Sequence, residues 1–235
     1  MSPTLMLAFL RQRLTSPMRL VLLVIVFLSS VGMNTVTGSF AGAEGNALFY
    51  AIVLAAGAIG QDISSGVLQL MFARPVTRPC YVFSRWFAAG AGGGALLLVQ
   101  MVLACGFLLA RGLRPDFAEL LPVALAGIVL AFTASAVIVM LSSLASGLGD
   151  MALYFVATLV LTGSGQVARW KGWSVVERLA DELGHVLAPQ LHLAWLAGRG
   201  APSWFELVSV LSTLTLSLAV AMLVVNRKEL SYAAG

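Results

Sequence analysis

The chain has 235 residues, of which 60% are hydrophobic and only 10% charged, with a mean hydropathy of +0.95 and a formal net charge of +4 at pH 7. So few charges could not cover the surface of a water-soluble domain of this size, which excludes that class. The basic excess lies in short connections and not in a stripe interleaved with aromatics, so it implies no nucleic-acid partner.

Pro3 to Met18 carries Leu5, Met6, Phe9 and Leu10 beside Arg11 and Arg13. This is the pattern of an amphipathic helix in a membrane interface, its arginines reaching toward lipid phosphates, and Ser16-Pro17 would break it. A basic topology anchor and a hold for a partner both fit. Charge-free runs then extend over Leu20–Ala43, Gly45–Gln61, Trp86–Ala110, Leu120–Gly149, Met151–Ala168 and Leu207–Asn226. Crossing a hydrocarbon core takes about 20 mostly apolar residues; Gly45–Gln61 is borderline and the others suffice. The sequence thus predicts an all-α integral membrane protein, a single domain over residues 1–235. Its six transmembrane helices are expected near 20–41, 45–61, 84–110, 120–145, 151–168 and 205–226. A cleaved signal peptide ending near Ala41–Ala43 competes for the first run, but the run exceeds the ~7–15-residue core of such a signal, which favours a retained helix.

With both termini on one side, that side collects Arg11, Arg13, Arg19, Arg74, Arg78, Arg85, Arg227 and Lys228 against Asp62, Asp150 and Glu229. The other side has an acidic excess, so positive-inside bias places both termini in the cytoplasm. In the third span Gly90 and Gly94 have the small-xxx-small spacing of close helix packing; a helix that slides or bends during transport is the other reading. Asp150, after a very short turn, is placed to cap the fifth helix. Gln166 to Ser203 is the longest external connection and holds or adjoins Trp170, Trp173, Trp195 and Trp204. Within it Val175, Val176, Leu179, Leu183, Val186 and Leu187 recur at helical spacing opposite Glu177, Arg178, Asp181 and Glu182. An amphipathic helix on the outer leaflet, broken by Pro189, is expected within an external segment at about 170–199.

No catalytic set is legible. The spans hold almost no ionisable group, which argues against proton- or ion-coupled carriage. His185 and His192 are seven apart with Pro189 between them, which suits ordinary interfacial histidines better than a metal pair. Gly163-Ser164-Gly165 lacks a base in a span, and no phosphate-binding loop is present. The chain is therefore read as neither an enzyme nor an ATPase, with no metal and no cofactor of its own. Cys80 and Cys105 fall too far apart to pair.

The segment from Gln61 to Arg78 remains. Ile63, Val67, Leu70 and Met71 share one helical face, Asp62 can cap its start and Pro75 stops it, giving a helix at 62–74. Gly66 inside so short a helix costs about 1 kcal/mol relative to alanine, which points to a surface packing against the backbone there. Periodicity alone does not separate a helix floating on lipid from one that docks a partner.

The stretch Asp62…Gly66-Val67-Leu68…Leu70-Met71…Arg74-Pro75-Val76-Thr77-Arg78, ending in Arg85, resembles the first cytoplasmic loop of ABC-2-type ABC transporter permeases. That family has an acidic residue before Gly-Thr-Leu, then a leucine pair, Pro-Val-Ser-Arg and a lysine. Here Val67 stands for the threonine, Leu70-Met71 for the pair, Thr77 for the serine and Arg85 for the lysine, and Gln61-Asp62 is less acidic than usual. The basic tail Asn226-Arg227-Lys228-Glu229-Leu230-Ser231-Tyr232 and the six-span layout are also similar. The resemblance implies a permease dimer, homo- or heteromeric, in a prokaryotic inner membrane. Each chain would dock its coupling helix on a separate ATP-binding cassette subunit that holds the ATP and Mg. The contact residues it implies are Asp62, Gly66, Leu70, Met71, Arg74 and Arg78, with Val67 and Phe72 turned to the membrane or the protomer. Membrane lipids and a periplasmic or extracellular protein complete the expected partners. Cargo is read as lipidic or amphipathic, with Gln100, Asn34 and Ser135 able to meet it or to serve in packing. The alternative is a scaffold or mechanotransmitting subunit that moves no solute.

Overall fold

The computed structural model describes residues 3–66, 77–145, 147–198 and 201–232. Six helices are long and apolar enough to cross a membrane, and no strand occurs among the described residues. Helix α1 (Pro3–Leu14) precedes the first span, α2 (Pro17–Thr37). Pro17 suits a first turn, where its missing N–H has no partner to lose, and α2 stops where Gly38 takes φ 69°. The second span is two helices, α3 (Ala43–Ala55) and α4 (Gly60–Ser64), separated by a turn over 56–59. The next three spans are α5 (Arg78–Ala110), α6 (Phe117–Leu144) and α7 (Gly149–Lys171). Then α8 (Ser174–Leu187) and a 3-10 turn at Ala194–Ala197 lead to the sixth span within α9 (Trp204–Tyr232).

The second and fourth spans form the centre. The rest of the chain buries 72% of the apolar stretch of the second and 61% of the fourth, against 22% for the first and 17% for the fifth. Glycines let α5 approach both central helices. A Cβ on Gly93 would stand 2.9 Å from the Ala51 backbone nitrogen of α3, and one on Gly90 would strike the Phe132 ring of α6. Gly94 faces Ile128, so the Gly90–Gly94 stripe lies in a contact within the chain. The Trp86 indole donates to the Phe132 carbonyl at 2.8 Å and reinforces the same junction.

Asn34, Gln100 and Ser135 are all buried inside the chain. The Tyr50 hydroxyl donates to Gln100 Oε1 at 2.7 Å, and Ser135 donates to the Phe132 carbonyl at 2.9 Å. A polar group in an apolar interior needs such a partner; Ser135 and the Gln100 oxygen have one, whereas Asn34 Nδ2 and Gln100 Nε2 are buried without one among the described residues.

The external amphipathic helix packs against the span that precedes it. Gly172, at φ 71°, reverses the chain, and α8 runs back along α7. Arg169 pairs with Glu177 and with Asp181, each at 3.1 Å; Gly165 faces Ala180, and the Tyr154 hydroxyl donates to the Leu187 carbonyl at 3.4 Å. From Tyr154 to Arg169, α7 rises about 22 Å at 1.5 Å per residue, so α8 follows most of its length. The polar stripe of α8 faces Arg169, and Val175, Leu179 and Leu183 stay exposed. A charged partner on the preceding helix decides which way the stripe turns.

Candidate functional site

The break in the second span organises the most polar part of the interior. Gly57 takes φ 65°, a conformation open to glycine at little cost, and the helix is interrupted through Ile59. Interruption exposes backbone N–H and C=O groups that must be paired where water is scarce. Four elements supply the partners. Asp150 at the start of α7 accepts from the Gly57 N–H at 2.5 Å, and Ser142 Oγ at the end of α6 accepts from Ile59 and Gly60 at 3.0 and 2.9 Å. Arg13 of α1 donates to the Gly57 carbonyl at 2.8 Å, and Arg19 of α2 donates to the Ala56 carbonyl at 3.0 Å. The chain after α6 closes the site, with the Gly147 N–H on the Gly60 carbonyl at 2.9 Å. A Cβ on Gly60 would stand 2.6 Å from the Ala145 carbonyl oxygen, so close contact requires glycine there.

One turn further on, Asp62 forms a buried ion pair with Arg85 of α5, and the Tyr81 hydroxyl donates to the same carboxylate oxygen at 2.6 Å. All three are nearly inaccessible, at 4%, 8% and 1% exposure for Asp62, Arg85 and Tyr81. The two halves of the site meet through Gln61 and Phe9. Gln61 Oε1 accepts from Arg13 at 2.7 Å. The Phe9 ring meets two guanidinium groups, its centroid 4.8 Å from Arg13 Cζ and 4.6 Å from Arg85 Cζ. Burial holds Arg13 below the ordinary arginine range, to a pKa of about 9; Arg19 and Arg85 beside it push the same way, and Asp62 and Tyr81 oppose them. Three guanidinium groups and two carboxylates thus converge on one break, tying α1, α2, α4, α5, α6 and α7 together.

Several residues read from the sequence take other places here. Asp62 lies inside α4, turned inward to Tyr81 and Arg85, and most of the helix expected at 62–74 falls outside the described residues. The helical segment stops at Ser64, and Gly66 follows at φ 71° in a turn, with nothing among the described residues within 4 Å of a Cβ built on it. Arg78 opens α5 behind Thr77. Leu70, Met71 and Arg74 lie outside the described residues, as do Val67 and Phe72. Arg13, expected at lipid phosphates, is buried at 1% exposure, whereas Arg11 is exposed. Asp150 bonds the Met151 N–H at 2.9 Å and Gly57, while α7 starts without a side-chain cap at Leu148.

The roles of Arg13, Gln61, Tyr81, Ser142 and Asp150 escaped the sequence reading. A signal was present: Asp62 and Asp150 are the only acids among the basic residues next to the spans on that side, apart from Glu229 in the tail. An isolated acid bordering a span among arginines is a candidate for a buried partner.

At the opposite end, His185 lines a cavity of about 470 Å³ between α7 and α8 with Arg169 and Asp181, and His192 lies 3.2 Å from a Glu206 carboxylate oxygen. No protein-family model matches the chain, and neither the curated proteins nor the solved structures give a match.

Proposed function

We propose that the chain is the permease subunit of an ATP-driven ABC transporter of the ABC-2 type. In this reading the termini and the 61–78 loop are cytoplasmic, and the loop docks a separate ATP-binding subunit that supplies ATP and Mg. A second permease chain completes the complex, and the cargo is lipidic or amphipathic.

The observation that carries this reading is the buried clasp at the root of that loop. A segment that only floated on lipid would need no rigid foundation. Here the residues before it (Gln61, Asp62) and after it (Tyr81, Arg85) are joined to each other and to Arg13 of α1. A push on residues 67–76 would pass into α4 and α5, and from the broken second span through Ser142 and Asp150 into α6 and α7. Charged hydrogen bonds in a low-dielectric interior resist yielding locally, so displacement is delivered to whole helices. The family resemblance of the same segment adds the identity of the partner.

The test is affinity purification of the tagged chain from its native membrane in mild detergent. A stoichiometric ATP-binding protein should accompany the wild type. Gly66→Trp puts a large side chain on a left-handed turn residue and should release that protein while the permease stays inserted. Retention of the partner by the variant, or recovery of the wild type alone from membranes that contain the ATPase, would overturn the docking assignment.

A further inference from the structure

We propose that the groove between α5 and α6 holds one acyl chain of an anionic phospholipid, with its phosphate met by Arg111 and Arg114 at the groove's end. The groove is open along one side and has a volume of about 590 Å³. Leu98, Val102, Gly106 and Leu109 form one wall along a single face of α5, and Phe117 and Leu121 of α6 form part of the other. Apart from the Cys105 thiol its lining is wholly apolar, which suits a hydrocarbon chain and no polar solute.

Gly106 is the second observation. Gly90 and Gly93 of the same helix are needed because a neighbouring helix leaves no room for a Cβ. At Gly106 no atom lies within 4 Å of that position. Glycine weakens a helix interior relative to alanine, and no protein contact compensates here. What the missing side chain provides is width in the groove.

Charge fixes the class of head group. Arg111 closes α5 and Arg114 follows in the connection to α6, both exposed. Arg111 donates to the Thr35 carbonyl at 3.3 Å through one nitrogen, and Arg114 has no hydrogen bond or ion pair among the described residues. The nearby carboxylates are occupied elsewhere. Asp116 accepts from the Ala118 N–H at 3.0 Å at the start of α6, and Glu119 faces Ser39 and a different cavity, shared with His192. The Arg114 guanidinium and the remaining nitrogens of Arg111, beside the end of an apolar groove, match a phosphodiester joined to an acyl chain.

Native mass spectrometry of the full chain, titrated with phosphatidylglycerol or phosphatidylcholine of identical chains, tests this. The wild type should retain one phosphatidylglycerol per chain at detergent levels that strip bulk lipid, and bind phosphatidylcholine at least tenfold more weakly. Arg111→Gln with Arg114→Gln should abolish that preference. Gly106→Phe, which fills the groove, should lower retention of both lipids about tenfold, whereas Gly106→Ala should retain them. A phosphatidylglycerol carrying a diazirine midway along its chain gives a reading without any variant, and should label residues 98–109 and 117–124. Labelling elsewhere, or wild-type retention by Gly106→Phe, would overturn the groove. Equal retention of the two lipids by the wild type would overturn the head-group assignment.

Discussion

Replacing Arg85 by methionine keeps most of the side-chain bulk and removes the charge that faces Asp62. The carboxylate would stay buried with the Tyr81 hydroxyl as its one remaining close donor among the described residues. Breaking a buried pair from one side costs about 3–5 kcal/mol, because an uncompensated charge is left behind. At roughly 1.4 kcal/mol per tenfold, that is a hundredfold to a few thousandfold in the unfolding constant. The triple change Asp62→Leu, Tyr81→Phe and Arg85→Met removes the charge, its counter-charge and the hydroxyl together. It should return to within about 1 kcal/mol of the wild type or exceed it, since apolar replacements of buried pairs are often neutral or stabilising. Equilibrium unfolding in mixed detergent and SDS micelles, followed by loss of helical circular dichroism, measures both. A cost below about 1 kcal/mol for Arg85→Met, or a triple variant as unstable as the single one, would refute the assignment of this cluster as a buried ionic clasp.

Arg13→Lys should lose about 1–3 kcal/mol in the same assay, because one ammonium cannot reproduce the fork that reaches both Gln61 Oε1 and the Gly57 carbonyl. Asp150→Asn leaves one acceptor oxygen where two backbone N–H groups are now served, and should cost about 1–2 kcal/mol. Gly93→Leu forces side-chain atoms against the α3 backbone and should destabilise by at least about 1–3 kcal/mol, read as loss of a monodisperse peak in detergent. For topology, a cysteine at the exposed Ser174 should react with an impermeant maleimide in intact cells, and one at the exposed Ser65 only after permeabilisation; the reverse pattern would invert the orientation.

Parts of the site were legible in advance and parts were not, for a physical reason. Asp62, Gly66 and Arg85 stood out as polar or special residues beside a span. Their roles did not follow, since spacing along one helix says nothing about what an adjacent helix offers. Asp62 read as a cap because a carboxylate at a helix start accepts free N–H groups; in the folded chain, Tyr81 and Arg85 outcompete those donors. Gln100 and Asn34 read as possible cargo contacts because polar residues in spans are rare, but rarity does not reveal whether such a residue faces inward to another span or outward. The α8 stripe was visible as a period of apolar residues, while its pairing with Arg169 depended on a reversal at Gly172 that brings distant turns together.

Composition and the lengths of apolar runs were enough to establish six helices able to cross a membrane, because insertion depends on hydrophobicity summed along about 20 consecutive residues. Which helices form the centre, how the second span breaks at Gly57, and which charges go inside depended on rotations and approaches between segments tens of residues apart. The bond between Gly57 and Asp150 joins two spans across 93 positions of sequence, and no local pattern encodes it. It forms because the broken helix cannot leave its backbone groups unpaired in an apolar interior, and the packed bundle alone determines which side chains are near enough to meet them.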